Sequence, residues 1–111
     1  MWILALANAA LALQAADQPP KPLRYGEWFM DMYPERAWRL RIEGDTYYVA
    51  TVGTDGRATG CEIEKSSGDE SLDKATCNAV RNRARFKPAT ANGVPVAGVF
   101  HGKAAWRAPS E

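Results

Sequence analysis

Asp55-Gly56 separates two stretches whose side chains alternate, and no other feature restricts the fold of this chain as much. Before it, "EGDTYYVATVG" places Thr46, Tyr48, Ala50 and Val52 at a period of two. After it, "ATGCEIEKSS" sets Cys61 and Ile63 against Glu62 and Glu64. Alternation of this kind reads as strand with one wet face, and Asp-Gly is the strongest short signal for a hairpin. The two stretches therefore pair antiparallel, with Glu62 and Glu64 toward solvent.

A half-buried hairpin needs a cover. "SLDKATCNAVRNRARF" supplies one, because Leu72, Ala75, Thr76, Ala79 and Val80 fall on one face at helical spacing. Asp69 or Ser71 can cap its start. Arg81, Arg83 and Arg85 suit the negative end of its dipole, and Pro88 is expected to stop it. Upstream, "YPERAWRLR" (Tyr33–Arg41) has proline where a first helical turn tolerates it, and Ala37 with Trp38 or Leu40 forms a short apolar face. Downstream, "TANGVPV" reads as a turn and "VAGVFHGKAAWRA" as one more strand or an interrupted pair. The order helix, strand, strand, helix, strand is that of a small α+β domain, assigned to residues 33–108.

The first sixteen residues carry no charge. The run is shorter than the roughly 20 residues of a membrane span but has the length of the apolar part of a secretory signal, with small residues at Ala10, Ala12, Ala15 and Ala16. Residues 1–16 are thus read as a signal peptide or short membrane anchor. Residues 17–32 are read as a Pro-containing tether, although "YGEWFMDMY" is aromatic enough to pack on the domain.

The residues offer little for catalysis. Two cysteines and one histidine, His101, fall short of the four ligands of a zinc site, and a Cys-x-x-Cys redox pair is absent. A hydrolase built on Ser67 and His101 lacks the third group that orients the base. Gly53, Gly56 and Gly60 flank a hairpin and do not open a helix, so they form no phosphate loop. With 14 basic against 13 acidic residues, bulk charge gives no reason to expect nucleic acid as a partner. No enzyme, no metal and no cofactor is expected. Cys61 and Cys77 remain open at this point: buried thiols in the cytosol, a disulfide after export.

"YPERA", "IEGDTYYVATV", "DGRATGCEIEKSSGDESLDKATCNAV", "RFKPA" and "NGVPV" occur in this order between Tyr33 and Val96. This series resembles the TonB C-terminal domain family. The resemblance implies a three-stranded antiparallel sheet with two helices packed on one face, and a periplasmic location. Family members belong to a transducer anchored in the inner membrane beside its motor partners. They grip an extended segment of an outer-membrane receptor as an added β-strand. Here the edge would run from Val94 to Trp106, with Val94, Val96, Val99 and Phe100 as contributors. Arg41 stands where the family commonly has glycine, and Ala84 where an aromatic residue is usual.

The same resemblance puts Cys61 and Cys77 at positions that are apolar in most relatives, one on the second strand and one on the helix above it. Together with export, this implies a Cys61–Cys77 disulfide. The expected partner is an extended peptide of an envelope or outer-membrane protein. Membrane contact is expected only through residues 2–16, where these are retained. The competing reading is a stand-alone, disulfide-stapled envelope protein, a homodimer through the same edge, with no transducing role.

Overall fold

A computed structural model of the chain describes residues 16–24 and 27–109. The leader or anchor expected over 1–16 lies, apart from Ala16, outside the described residues. Among the described residues no helix is long and apolar enough to cross a membrane.

The hairpin forms as the alternation predicts. Strands β2 (Gly44–Val52) and β3 (Ala58–Lys65) pair antiparallel, with Ala50 opposite Cys61 and Val49 opposite Glu62. Thr46, Tyr48, Ala50 and Val52 are all fully buried. The loop is one residue longer than an Asp-Gly pair requires: Gly53 N–H donates to Arg57 O at 2.8 Å. Gly56 closes it at φ 83°, and a Cβ there would sit 2.2 Å from Phe86 O.

The long helix α3 (Glu70–Asn82) lies over this sheet, with Leu72, Ala75, Thr76, Cys77, Ala79 and Val80 buried. Asp69 is its N-cap, and its carboxylate accepts from Leu72 N–H at 3.1 Å. The helix ends six residues before Pro88, which therefore does not stop it. Arg83 and Ala84 N–H both turn back to Ala79 O, at 2.8 and 3.0 Å, and Phe86 then points into the core. Burial of Phe86 thus takes the chain out of the helix and into strand β4 (Arg85–Lys87).

The tether reading of 17–32 needs correction. Strand β1 (Lys21–Leu23) pairs antiparallel with β4, and Gln18 bridges Thr90. Helix α1 (Glu27–Met30) has only four residues, too few to stand alone in water. It is held by Trp28 and Phe29, which are 7% and 6% exposed and reach the centre of the core. Full burial of an aromatic side chain is worth about 1.5–3 kcal/mol, so these two residues secure the segment. The packed unit begins upstream of residue 33, at the buried Pro20.

Helix α2 (Glu35–Arg39) follows Pro34, which is its N-cap and lies just outside the first turn. Ala37 is fully buried, whereas Trp38 and Leu40 are 40% and 59% exposed. Tyr33 stands between this helix and the sheet, its ring edge-on to Trp38 and to Trp106 at centroid distances of 5.1 and 5.2 Å. The described residues thus form an α+β fold whose three-stranded sheet, in the order β3, β2 and then β7 (Gly98–Trp106), carries its core on one face. Strand β7 is the last element.

Candidate functional site: the free edge of the last strand

β7 pairs antiparallel with β2 along its whole length, from Gly44 opposite Trp106 to Val52 opposite Gly98. Since β2 is central, the sheet has two edges, β3 and β7. They are protected very differently.

At β3, the Arg81 guanidinium donates to Cys61 O at 3.1 Å. The Cys61–Cys77 disulfide, with Cα atoms 5.5 Å apart, ties the same strand to α3. Three of the last four residues of β3 are charged, Glu62, Glu64 and Lys65, and all are exposed. Charged side chains and occupied backbone groups are the usual means by which an edge avoids unwanted pairing. β3 has both.

On β7, Phe100, Ala104 and Trp106 point inward, while Val99, His101, Lys103 and Ala105 point outward. Two glycines complete the inner row. The ring of Tyr48 lies over Gly102, where a Cβ would come within 2.4 Å of the ring. Gly98 is closed in the same way by Ala89 and Pro20. A groove of about 180 Å3 flanks the distal half of the strand, lined by Phe29, Met30, Tyr33, Lys103, Ala105 and Trp106. Burial, and secondarily Glu43, raise the Tyr33 phenol above its ordinary pKa. It therefore stays protonated and donates to Ile42 O at 2.6 Å.

The predicted edge residues do not share one strand. Val99 and Phe100 lie on β7. Val94 and Val96 belong to β6 (Val94–Val96), which pairs with β5 (Ala89–Ala91) in a separate hairpin. Asn92 and Gly93, at φ 53° and 81°, make its turn, as two-residue hairpins require. The Val94–Trp106 run is therefore broken at Ala97. Within β7, Phe100 is committed to the core, its ring 5.4 Å from that of Phe86 and 6.2 Å from that of Tyr48. Val99 is the half-exposed apolar side chain on the outer face, at 50%.

Ser67 and His101 are not brought together. Ser67 Oγ donates to Asp73 Oδ1 at 2.8 Å beside Gly44, whereas His101 stands opposite Val49 and faces Glu64 Oε2 at 3.4 Å. Five residues of strand between Gly44 and Val49 amount to about 17 Å. Among the described residues, no group of three His, Cys, Asp or Glu is placed to hold a metal ion.

The family model described as the Gram-negative bacterial TonB protein C-terminal matches residues 31–107, well over half of the chain. The chain belongs to the TonB C-terminal family. It is 48% identical over 48 residues to "Protein TonB" of Haemophilus influenzae, covering 43% of this chain and 18% of that protein. It is 35% identical over 66 residues to "Protein TonB" of Xanthomonas campestris pv. campestris, covering 60% of this chain and 29% of that one. The chain thus spans less than a third of the length of these TonB relatives. The solution NMR structure of the Pseudomonas aeruginosa TonB C-terminal domain superposes with a TM-score of 0.60 at 24% identity, covering 86% of this chain and 92% of that one. That likeness shows the fold.

Sequence reasoning held "YGEWFMDMY" aromatic enough to pack on the domain but did not place α1 at the groove. The signal was present in the aromatic cluster "EWFM", which is unlike a tether.

Proposed function

We propose that this chain is a periplasmic TonB-like interaction module that takes an extended segment of an envelope or outer-membrane protein onto the free edge of β7, in the service of energy-dependent transport. The observation that carries this reading is the asymmetry of the two edges. β3 is closed by Arg81, the disulfide and three charges, whereas β7, among the described residues, pairs as a strand with β2 alone and borders an apolar groove. Strand addition uses backbone groups for affinity and side-chain pockets for selectivity, so it needs no catalytic residue. Val99 and the groove at Met30 would supply the selectivity.

The test selects a binding peptide from a displayed library and makes it in two forms, N-methylated on alternate amides. An added strand turns every second N–H toward its neighbour, so one form should lose binding and the other should keep it. Equal binding by both forms would overturn strand addition. A second copy of the chain could occupy the same edge as a homodimer, without a transducing role. Light scattering identifies that case as a dimer that the selected peptide disrupts.

A further inference from the structure

The ribbon formed by β1 and β4 has one face turned inward and one turned out. Pro22 and Phe86 pair on the inner side, and Phe86 is 3% exposed. Alternation then sends Lys21, Leu23, Arg85 and Lys87 to the outer side. Lys21 stands directly opposite Lys87, and Leu23 opposite Arg85. Arg24 and Arg83 flank the same face, where they line a groove of about 470 Å3 with Leu23, Trp28 and Arg85. Asp31 engages Arg83 at 3.0 Å, and Asp17 is turned away to accept from Asn92 N–H at 2.8 Å. A chain with a net charge of +1 has thus gathered five bases on one small face.

The placement of Lys21 against Lys87 does not help the ribbon to fold. Like charges directly opposite each other on paired strands are destabilising. Leu23 is an apolar side chain left 49% exposed among them. Cations around an exposed apolar side chain match a surface that is anionic outside and apolar just below. The position of the ribbon matches as well. It begins at Lys21, and four residues, 17–20, separate it from the uncharged run of the first sixteen. Those four residues reach at most about 15 Å, so a bilayer holding the run would lie within reach of the ribbon.

We propose that the outer face of the β1–β4 ribbon docks on an anionic phospholipid bilayer, with Lys21, Arg85 and Lys87 against phosphate headgroups and Leu23 inserted between them. This contact is separate from strand addition at β7. It orients the domain relative to the membrane instead of recognising a protein.

The full chain is tested for co-sedimentation with vesicles of phosphatidylcholine alone and of phosphatidylcholine mixed with phosphatidylglycerol. An apolar N-terminal run held in the bilayer would bind both, so the readout is the ratio of the two affinities. Each base near an anionic surface contributes about a five-fold change in binding. The ratio should therefore exceed about tenfold at low salt and fall as salt shortens the screening length. Lys87→Glu should lower the ratio by at least about five-fold. The same change places a carboxylate opposite Lys21, so its unfolding midpoint should rise or hold. Lys21→Gln with Lys87→Gln provides a second variant without charge reversal. A wild-type ratio near one, a ratio unaltered by either variant, or capture of polyglutamate with no preference for anionic vesicles would overturn the proposal.

Discussion

The Trp106 indole N–H donates to Thr76 Oγ1 at 2.9 Å, joining the end of β7 to the middle of α3 inside a core where both residues are almost wholly buried. Thr76 passes the bond on, donating to Leu72 O at 2.8 Å. Every polar atom in this relay is thereby satisfied without water. Thr76→Val keeps the shape of the side chain but leaves the indole N–H with no acceptor. It should cost about 1–3 kcal/mol, read as a lower urea midpoint with an unchanged slope. Thr76→Ser retains the hydroxyl and should cost less. A valine variant as stable as the wild type would show that the bond contributes nothing.

The Cys61–Cys77 bridge spans a sequence separation of 16. In the chain-entropy account a loop of this size stabilises by about 3 kcal/mol, a large share of the 5–15 kcal/mol typical of a domain. A reductant should lower the wild-type unfolding midpoint to that of the Cys61→Ala, Cys77→Ala double variant, and should leave the variant unaffected. Thiol titration of the non-reduced, denatured protein should find no free cysteine.

The Asp73 carboxylate ties the start of α3 to the sheet. It accepts from Ser67 N–H at 2.9 Å, from Ser67 Oγ at 2.8 Å, from Thr46 Oγ1 at 3.0 Å and from Ser66 Oγ. Burial pushes its pKa up, but these bonds outweigh burial and hold it below the ordinary aspartate value. Asp69 is lowered too, first by the Ser71 hydroxyl and then by the Leu72 N–H. A carboxyl whose folded pKa is depressed stabilises fully above its unfolded value of about 3.9. That stability is lost as pH falls through the folded pKa. Asp73→Asn should therefore be less stable than wild type at neutral pH, by about 1 kcal/mol given the partial exposure of the site. The gap should close below about pH 4. Unfolding curves across that range check it, and a gap independent of pH would refute the role of the charge.

The elements legible in the sequence were those whose apolar residues alone carry the period. Thr46, Tyr48, Ala50 and Val52 mark β2, and Leu72 to Val80 mark the buried face of α3. β7 was harder to read because Gly98 and Gly102 occupy inward positions and add nothing to a hydrophobic pattern. Their role appears only once Ala89 and the Tyr48 ring are seen above them. α1 has no period at all in four residues, and the prolines before it suggest a tether. Its place is set by long-range contacts, with Phe29 lying 5.7 Å from Trp106 and 6.1 Å from Tyr48. The end of α3 was misread because three arginines continue its helical composition, while the buried Phe86 decides the geometry.

Arg41, noted in the sequence as standing where glycine is common, has φ 55°. It follows the C-cap residue Leu40 of α2. Ile42 N–H donates to Ala37 O at 2.8 Å and Arg41 N–H to Trp38 O at 3.2 Å, the paired bonds of a Schellman motif. Ile42 packs against the buried core to which Ala37 belongs. The left-handed residue of that motif is usually glycine, because a Cβ there costs roughly 1–2 kcal/mol. Against this, the Arg41 side chain makes surface interactions, among them Nη1 donating to Pro109 O at 2.7 Å, and exposed interactions of this kind offset only part of the strain. Arg41→Gly should therefore raise stability by roughly 0.5 kcal/mol, after subtracting the lost bond and the greater freedom of glycine in the unfolded chain. Arg41→Ala separates the two effects, since it loses the guanidinium yet keeps the strain, and it should be less stable than either Arg41→Gly or the wild type. Urea midpoints in the order glycine, arginine, alanine are the expected result. An alanine variant more stable than the glycine one would mean that the left-handed turn stores no strain.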